Sequence, residues 1–251
     1  MTTPMAWQSG WSAVGYNSDV VKKPASIGVL FDKKYAGKVG MFSDPQDLGS
    51  FGLLAIGVEP ATSTEADWQK AAVLLRRQRD DGIVHGYYQQ DYIDHLKQGT
   101  IAVSMAFSGD IFQADLTSQF KNLQLLVPPE GAMFWTDNMC IPAYAQNPKD
   151  AMVLMDFFYQ PQVEAVLEYY NDYVCPVPAA RQVLLHPTGW AKQALAAMKQ
   201  EIGLRPSFTA DAPLVFPTAK YQGLSRDYYQ YQSAAELARW KSLFEPIVAG
   251  R

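Results

Sequence analysis

A tryptophan and a carboxylate stand two residues apart in the segment Glu130–Pro142, EGAMFWTDNMCIP. Alternate side chains of an extended chain leave by the same face, so Trp135 and Asp137 would point the same way. An aromatic face beside an acid suits an organic ammonium group, because the ring quadrupole attracts the cation and the carboxylate neutralises it. The alternative is a core tryptophan next to a turn-capping aspartate. A second pair of acids, Asp44 and Asp47 in SDPQDLGS, is spaced three apart. A helix starting there would turn both towards one region, and the same two residues could equally serve as N-terminal caps.

Chemistry of other kinds finds little support. His85, His95 and His186 are far apart, no H-x-x-x-H, C-x-x-C or E-x-x-H spacing occurs, and no metal or cofactor site is expected. A G-x-S-x-G elbow, a P-loop and a G-x-G-x-x-G turn are all missing from the sequence. Cys175 with His186 could be written as a nucleophile and base, but nothing supplies an orienting acid or an oxyanion site. A binding protein is therefore expected, not an enzyme. A net charge of −4 argues against a nucleic-acid surface. Arg76, Arg77 and Arg79 read as a solvated face at the end of an amphipathic helix.

The elements that must position these residues alternate along the chain. Strands are expected at 13–16, 39–42, 101–107 and 123–127, and a short helix at 27–31. Residues 47–57 read as a buried helix. Thr64, with Asp67 three residues on, caps a helix that buries Trp68, Ala71, Ala72 and Leu75. Residues 91–98 form another helix, and Ser108-Gly109-Asp110 a turn in which Asp110 is a turn residue. Asn147-Pro148 starts a long apolar helix broken at Pro161, with Met152, Met155, Phe157, Phe158 and Tyr159 assigned to the core. Helices follow at 190–202 and at 234–248, the last ending its regular part at Pro246. Alternation of this kind implies an α/β sheet with mainly parallel strands. With 251 residues, 48% of them hydrophobic and 18% charged, the chain can bury one or two sizeable cores.

Several linked segments resemble the spermidine/putrescine-binding proteins of bacterial ABC importers. FWTDNMCIP is similar to that family's FWxD segment and IPxxAxN turn, and AQNPKDAMVLMDFFYQPQVEAVLEYYNDYVCPVP to its long helix, Pro break and Y-x-C-P-V element. Upstream, WQSGWSAVGYN, LFDKKYAGKVGMFSDPQD and MAFSGD agree with the family in order and spacing. The resemblance implies a periplasmic-binding-protein-like type II α/β fold of two lobes with hinge crossings. Residues 12–134 would form the second lobe, with 186–251 returning mostly to it. Residues 1–11 and 135–185 would form the hinge and a partial first lobe.

The resemblance also implies a site and a role. Asp44 and Asp47 fall on two acidic positions that hold an amino group, Phe107 on an aromatic position along the methylene chain, and Trp135 and Asp137 on the central tryptophan and aspartate. The family's tyrosine has no clean equivalent: Cys175 falls on it, with Tyr173 two residues away. The expected ligand is a polyamine or related small organic cation bound by lobe closure. The expected partner is a membrane permease, with neither nucleic acid nor insertion into a membrane. The protein would act in the periplasm or another extracytoplasmic space. Since the family's first lobe begins well upstream of a WQSG-like segment, the sequence reads as a fragment lacking part of that lobe and its export signal. A remnant without binding activity is the alternative. Cys140 and Cys175 are expected as free buried thiols, a disulfide being the other possibility. The helix near 188–212 looks like an insertion.

Overall fold

The computed structural model describes residues 4–116, 120–203 and 205–250. Contacts divide the chain into two compact units. A sheet unit comprises Trp11–Asp115, Gln119–Phe134 and Gly223–Arg251, and a helical unit comprises Met1–Gly10, Leu116–Ser118 and Trp135–Gln222. Two strands, β1 (Met5–Asn17) and β6 (Ala132–Met139), each run from one unit into the other. The third expected crossing, at 185/186, lies later: residues 186–222 belong to the helical unit and the chain returns at Gly223. The cause is α8 (Gly189–Ile202), which packs on α6 (Pro161–Asn171) by burying Ala191 and Leu195.

The sheet unit begins with β1 and β2 (Val39–Phe42), whose residues are all buried, as befits a strand covered on both faces. Asp44 caps α1 (Pro45–Ala55), and Pro45 fits its first turn because the missing N–H would have had no helical partner. Thr64 and Asp67 form a reciprocal capping box on α2 (Glu65–Asp80). Then come β3 (Val84–Tyr88), α3 (Tyr92–Gln98), β4 (Val103–Phe107), α4 (Ser108–Leu116) and β5 (Leu123–Leu126). The unit closes with β7 (Ser225–Arg226) and α11 (Ala234–Val248). The sheet runs β3-β2-β4-β1-β6-β7, with β5 also paired to β1.

That sheet is mixed, not mainly parallel. β2 runs parallel to β3 and β4, and β6 to β7, whereas β1 lies antiparallel to both β4 and β5. β3, the terminal strand, escapes a pattern-based reading because VHGYY buries only Tyr88 fully. Its half-exposed residues show no clean alternation.

Trp68, Trp240, Phe51 and Phe244 head the core of this unit. Gly49 makes their packing possible, since a Cβ there would lie 2.4 Å from the Trp240 ring. Two expectations change here. The helix α11 continues through Pro246 to Val248. Arg76 and Arg79, expected as a solvated face, donate to the carbonyl oxygens of Leu243, Pro246 and Ile247 and so satisfy the end of that helix. Arg77 remains exposed, 3.7 Å from Asp81.

In the helical unit α5 (Pro148–Phe158) and α6 each open on a proline, and α7 (Ala180–Leu185), α8, α9 (Pro206–Asp211) and α10 (Ala219–Gln222) follow. α5 rests on α6 and buries Met155, but Met152 and Phe157 are exposed, contrary to a core role, as are Val153 and Leu154. Phe158 meets Trp7 edge to face at 4.8 Å, and the Tyr159 hydroxyl donates to the Ala6 carbonyl. No helix among the described residues is long and apolar enough to cross a membrane.

Candidate functional site

In the sheet unit, three strands that run the same way end side by side. Phe42, Tyr88 and Phe107 are the last residues of β2, β3 and β4. Open α/β sheets take up ligands at such carboxyl ends. A cleft of about 550 Å³ lies there, lined by those three rings, by Asp44 and Asp47, and by Gln89 and Gln90. Phe107 packs against Phe42 with centroids 4.5 Å apart. Its backbone N–H donates to the Tyr92 hydroxyl (2.8 Å), which donates in turn to Asp110 (2.7 Å). Asp110 is thus no turn residue: Ser108 already begins α4, and the carboxylate in its first turn fixes the strand end that presents Phe107.

The two acids of the cleft play different parts. Asp44 Oδ1 accepts the N–H groups of Gln46 (2.8 Å) and Asp47 (3.0 Å), so it is the cap foreseen as the alternative while it also lines the cleft. Asp47 is no cap. It accepts a 2.6 Å hydrogen bond from Tyr228, whose oxygen lies 3.4 Å from Ser12 Oγ. Burial pushes the Asp47 carboxyl up to about 6; bonds from Tyr228 and Ser12 oppose that rise, and Asp44 adds to it. Burial and the Asp47 charge push the Tyr228 phenol up, so it stays protonated and donating.

In the helical unit, Trp135 and Asp137 lie on β6, the ring half-buried and the acid exposed. Thr136, between them, leaves by the opposite face and meets Ser9 Oγ at 2.8 Å. Trp135 stands against Tyr173, with centroids 5.4 Å apart and planes at 61°. Gly10 permits that pair: a Cβ on it would come 2.6 Å from the Trp135 ring and 3.0 Å from that of Tyr173. Tyr173, not Cys175, therefore shares the surroundings of Trp135. Cys175 is buried and donates to the Val177 carbonyl at 3.2 Å. Both cysteines are free, Cys140 being exposed and not buried as expected. His186 is exposed at the end of α7. Among the described residues, Glu164, Glu168 and Cys175 bring donor atoms close enough to hold a metal ion.

Phe42, Tyr88, Gln89 and Gln90 were not foreseen at the cleft, nor was Tyr228 as the partner of Asp47. Tyr88 belongs to the strand that lacks a pattern, and Tyr228 reaches Asp47 across 181 residues of sequence, a contact that no local spacing encodes.

The profile of the bacterial extracellular solute-binding protein family matches residues 2–197. The spermidine/putrescine-binding periplasmic protein of Salmonella typhimurium is 25% identical over 185 residues, which are 73% of this chain and 51% of that protein. The putrescine-binding periplasmic protein SpuD of Pseudomonas aeruginosa is 27% identical over 210 residues, covering 74% of this chain and 55% of that one. The spermidine/putrescine ABC transporter substrate-binding protein PotD of Streptococcus pneumoniae superposes with a TM-score of 0.76 at 17% identity, over 97% of this chain and 68% of that one. This last likeness shows the fold: a mixed α/β fold of the periplasmic-binding-protein type. The chain spans about half the length of the curated relatives it matches.

Proposed function

This chain belongs to the bacterial extracellular solute-binding protein family, and from that premise we propose that it is the ligand-binding part of an ABC importer's solute-binding component, taking a polyamine or related organic cation. The observation that carries the reading is the cleft of the sheet unit, where Asp44 and Asp47 stand beside the rings of Phe42, Tyr88 and Phe107. Carboxylates neutralise ammonium groups, and the rings cover the methylene chain and attract the cation through their faces. Trp135 and Asp137 of the helical unit supply the same two chemistries, with Tyr173 beside them. Cys175 belongs to the proposal only through its sequence position.

The protein binds and does not catalyse. It works outside the cytoplasm and hands its ligand to a membrane permease when closure of the two lobes around the ligand favours the docking-competent state. The test is isothermal titration of a chain built out to the length of its relatives, with putrescine, spermidine and cadaverine as ligands and glutamate as the anionic control. Micromolar binding of the amines, about −8 kcal/mol, with none of glutamate, is the expected result. Binding of the anion in preference to the amines would overturn it.

A further inference from the structure

Helix α6 carries Glu164 and Glu168 one turn apart on one face, and its left-handed C-cap Asp172 (φ 57°) follows four residues on, so a stripe of three acids runs off the end of the helix. Each is 1% exposed or less. Like charges at this spacing repel one another even on a hydrated helix, and an unneutralised charge in the interior costs several kcal/mol more. No ion pair with a lysine, arginine or histidine reaches any of the three among the described residues. Asp172 has one partner, Thr209 Oγ1 at 3.2 Å, and its Oδ2 has none among those residues.

Cys175 closes the cluster, and its backbone is pinned. Val174 and Ser9 exchange hydrogen bonds of 2.8 and 3.4 Å, and the Cys175 N–H donates to the Val215 carbonyl at 3.0 Å. The sulfur lies 4.0 Å from Glu164 Oε1. Sγ and one oxygen each of Glu164 and Glu168 are within 4.8 Å of one another.

A separate observation points to an occupant. Neither oxygen of Glu168 has a hydrogen-bond partner of good geometry among the described residues, its nearest polar neighbours being the Glu164 carboxyl and the Gln8 amide, although buried acids ordinarily accept well-formed bonds. The side chain of Gln8, 8% exposed, faces Glu168, and its Nε2 also has no partner among those residues. Amide oxygen and nitrogen exchange places by a simple flip, so Gln8 can equally present a carbonyl oxygen there.

We propose that Glu164, Glu168 and Cys175 form a binding site for a divalent transition metal of the zinc class, with the Gln8 amide oxygen as a fourth donor. A thiolate among carboxylates selects zinc-like ions over magnesium or calcium, which take all-oxygen sets. Bonds of about 2.0 Å to oxygen and 2.3 Å to sulfur put tetrahedral donors roughly 3.5 Å apart, a modest contraction of the present cluster. Binding releases to solvent the thiol proton and any proton held by the two carboxyls. Burial raises the pKa of all three groups.

The test uses the chain as it stands, stripped with a chelator, desalted and titrated with Zn²⁺ and separately with Co²⁺ at neutral pH. One equivalent of metal should remain after gel filtration, the thermal midpoint should rise, and the Co²⁺ form should show thiolate-to-metal charge transfer in the near ultraviolet. Cys175→Ser should abolish the charge-transfer band and weaken Zn²⁺ at least about tenfold, the loss typical of even an outer partner of a metal site. Cys140→Ser, which removes the exposed thiol, should leave both unchanged. Should Cys175→Ser fail to fold, the stoichiometry and Co²⁺ spectrum of the wild type and of Cys140→Ser still decide. Retention of no metal with an unmoved midpoint, or a charge-transfer band that disappears with Cys140, would overturn the site and leave the stripe a set of protonated acids.

Discussion

The two units prepare their acids and rings in opposite ways. In the sheet unit the carboxylates are built into the fold: Asp44 is held by two backbone N–H groups and Asp47 by Tyr228. In the helical unit the ring is built in, wedged between Gly10 and Tyr173, while its acid, Asp137, stands exposed. A fixed carboxylate carries part of its desolvation cost before any ligand arrives, and the raised pKa of Asp47 is the sign of it. An exposed carboxylate meets that cost only on binding. On the proposed reading, Asp47 is preorganised for the ligand and Asp137 meets the larger change of environment.

The largest expected effect follows at Asp137. In the protein built out to its relatives' length, Asp137→Asn would leave an ammonium group desolvated without its counter-charge. That typically costs 2–5 kcal/mol, roughly thirtyfold to several thousandfold in affinity. Because the acid is exposed without ligand, the melting temperature of the free protein should hardly move. Calorimetry on both proteins checks this, and equal affinities would remove Asp137 from the site. Asp110→Asn is no neutral control, since Asp110 orders Tyr92 and through it Phe107.

Next in size is the pH dependence set by Asp47. Its folded pKa of about 6 exceeds the unfolded value, so between roughly pH 4 and 6 the folded state binds more protons. The contribution of Asp47 to stability is therefore most favourable below pH 4, falls as pH rises through about 6, and carries the full cost above it. A shift of about two units corresponds to ~3 kcal/mol. Amine affinity should run the other way, declining as pH falls through 6 because the ligand needs the ionised form. Melting curves and titrations from pH 4 to 8 should show both trends in the wild type; in Asp47→Asn the affinity trend should disappear and the fall in stability should shrink by the share of Asp47, leaving the part set by the buried acids Glu164, Glu168 and Asp172. Parallel curves for the two proteins would mean that Asp47 titrates normally.

Much of this fold was legible in the sequence, for identifiable reasons. The strand 39–42, the capping box at Thr64 and the proline-started helices at Pro148 and Pro161 are signalled by residues whose partners lie within a few positions. What escaped depends on distant partners. β3 has no pattern because it is half-exposed at the sheet's end, and β1 pairs antiparallel with strands about 90 to 110 residues onward. Pro246 looked like a stop, but the arginines that satisfy the end of α11 come from α2. The candidate site divides in the same way. Asp44 and Asp47 stand out by their spacing, whereas Tyr228, whose bond opposes the rise that burial imposes on Asp47, does not. Nor does E-x-x-x-E on α6 announce a metal site, because the third donor, Cys175, is placed by strand pairing near Ser9.

A smaller effect tests the built-in half of the comparison. Tyr228→Phe removes the donor that holds Asp47 down, so the pH midpoint of amine binding should move above 6. A hydrogen bond to a charged group, worth about 1.5–3 kcal/mol, corresponds to a rise of about one to two units, so at pH 7 the affinity should fall by about 0.4–1.4 kcal/mol, the cost of ionising the carboxyl. The phenol ring remains, so the packing of Ser12 and Asp47 changes little. An unshifted midpoint would show that burial alone sets the Asp47 carboxyl.

The smallest effect is expected at Trp135, where the ring's two possible roles give different readouts. If the indole is a cation face, Trp135→Phe keeps an aromatic surface and should cost less than about 1 kcal/mol in affinity, while Trp135→Ala loses more of a contribution worth ~0.5–2 kcal/mol. Part of the loss from Trp135→Ala can be recovered, because the Tyr173 ring sits edge-on to the indole, 5.4 Å between centroids, and can tip into the space it leaves. Adding Tyr173→Ala should then weaken binding beyond the sum of the two single changes. If Trp135 is core, the order reverses: Trp135→Ala would lower stability by about 3–5 kcal/mol, as large-to-small core changes do, and leave amine affinity alone. Gly10→Ala separates the two from the other side, since its Cβ would displace the indole without removing it. A loss of affinity there with the melting temperature nearly kept would place the ring on the ligand, and a loss of stability with affinity kept would return it to the core.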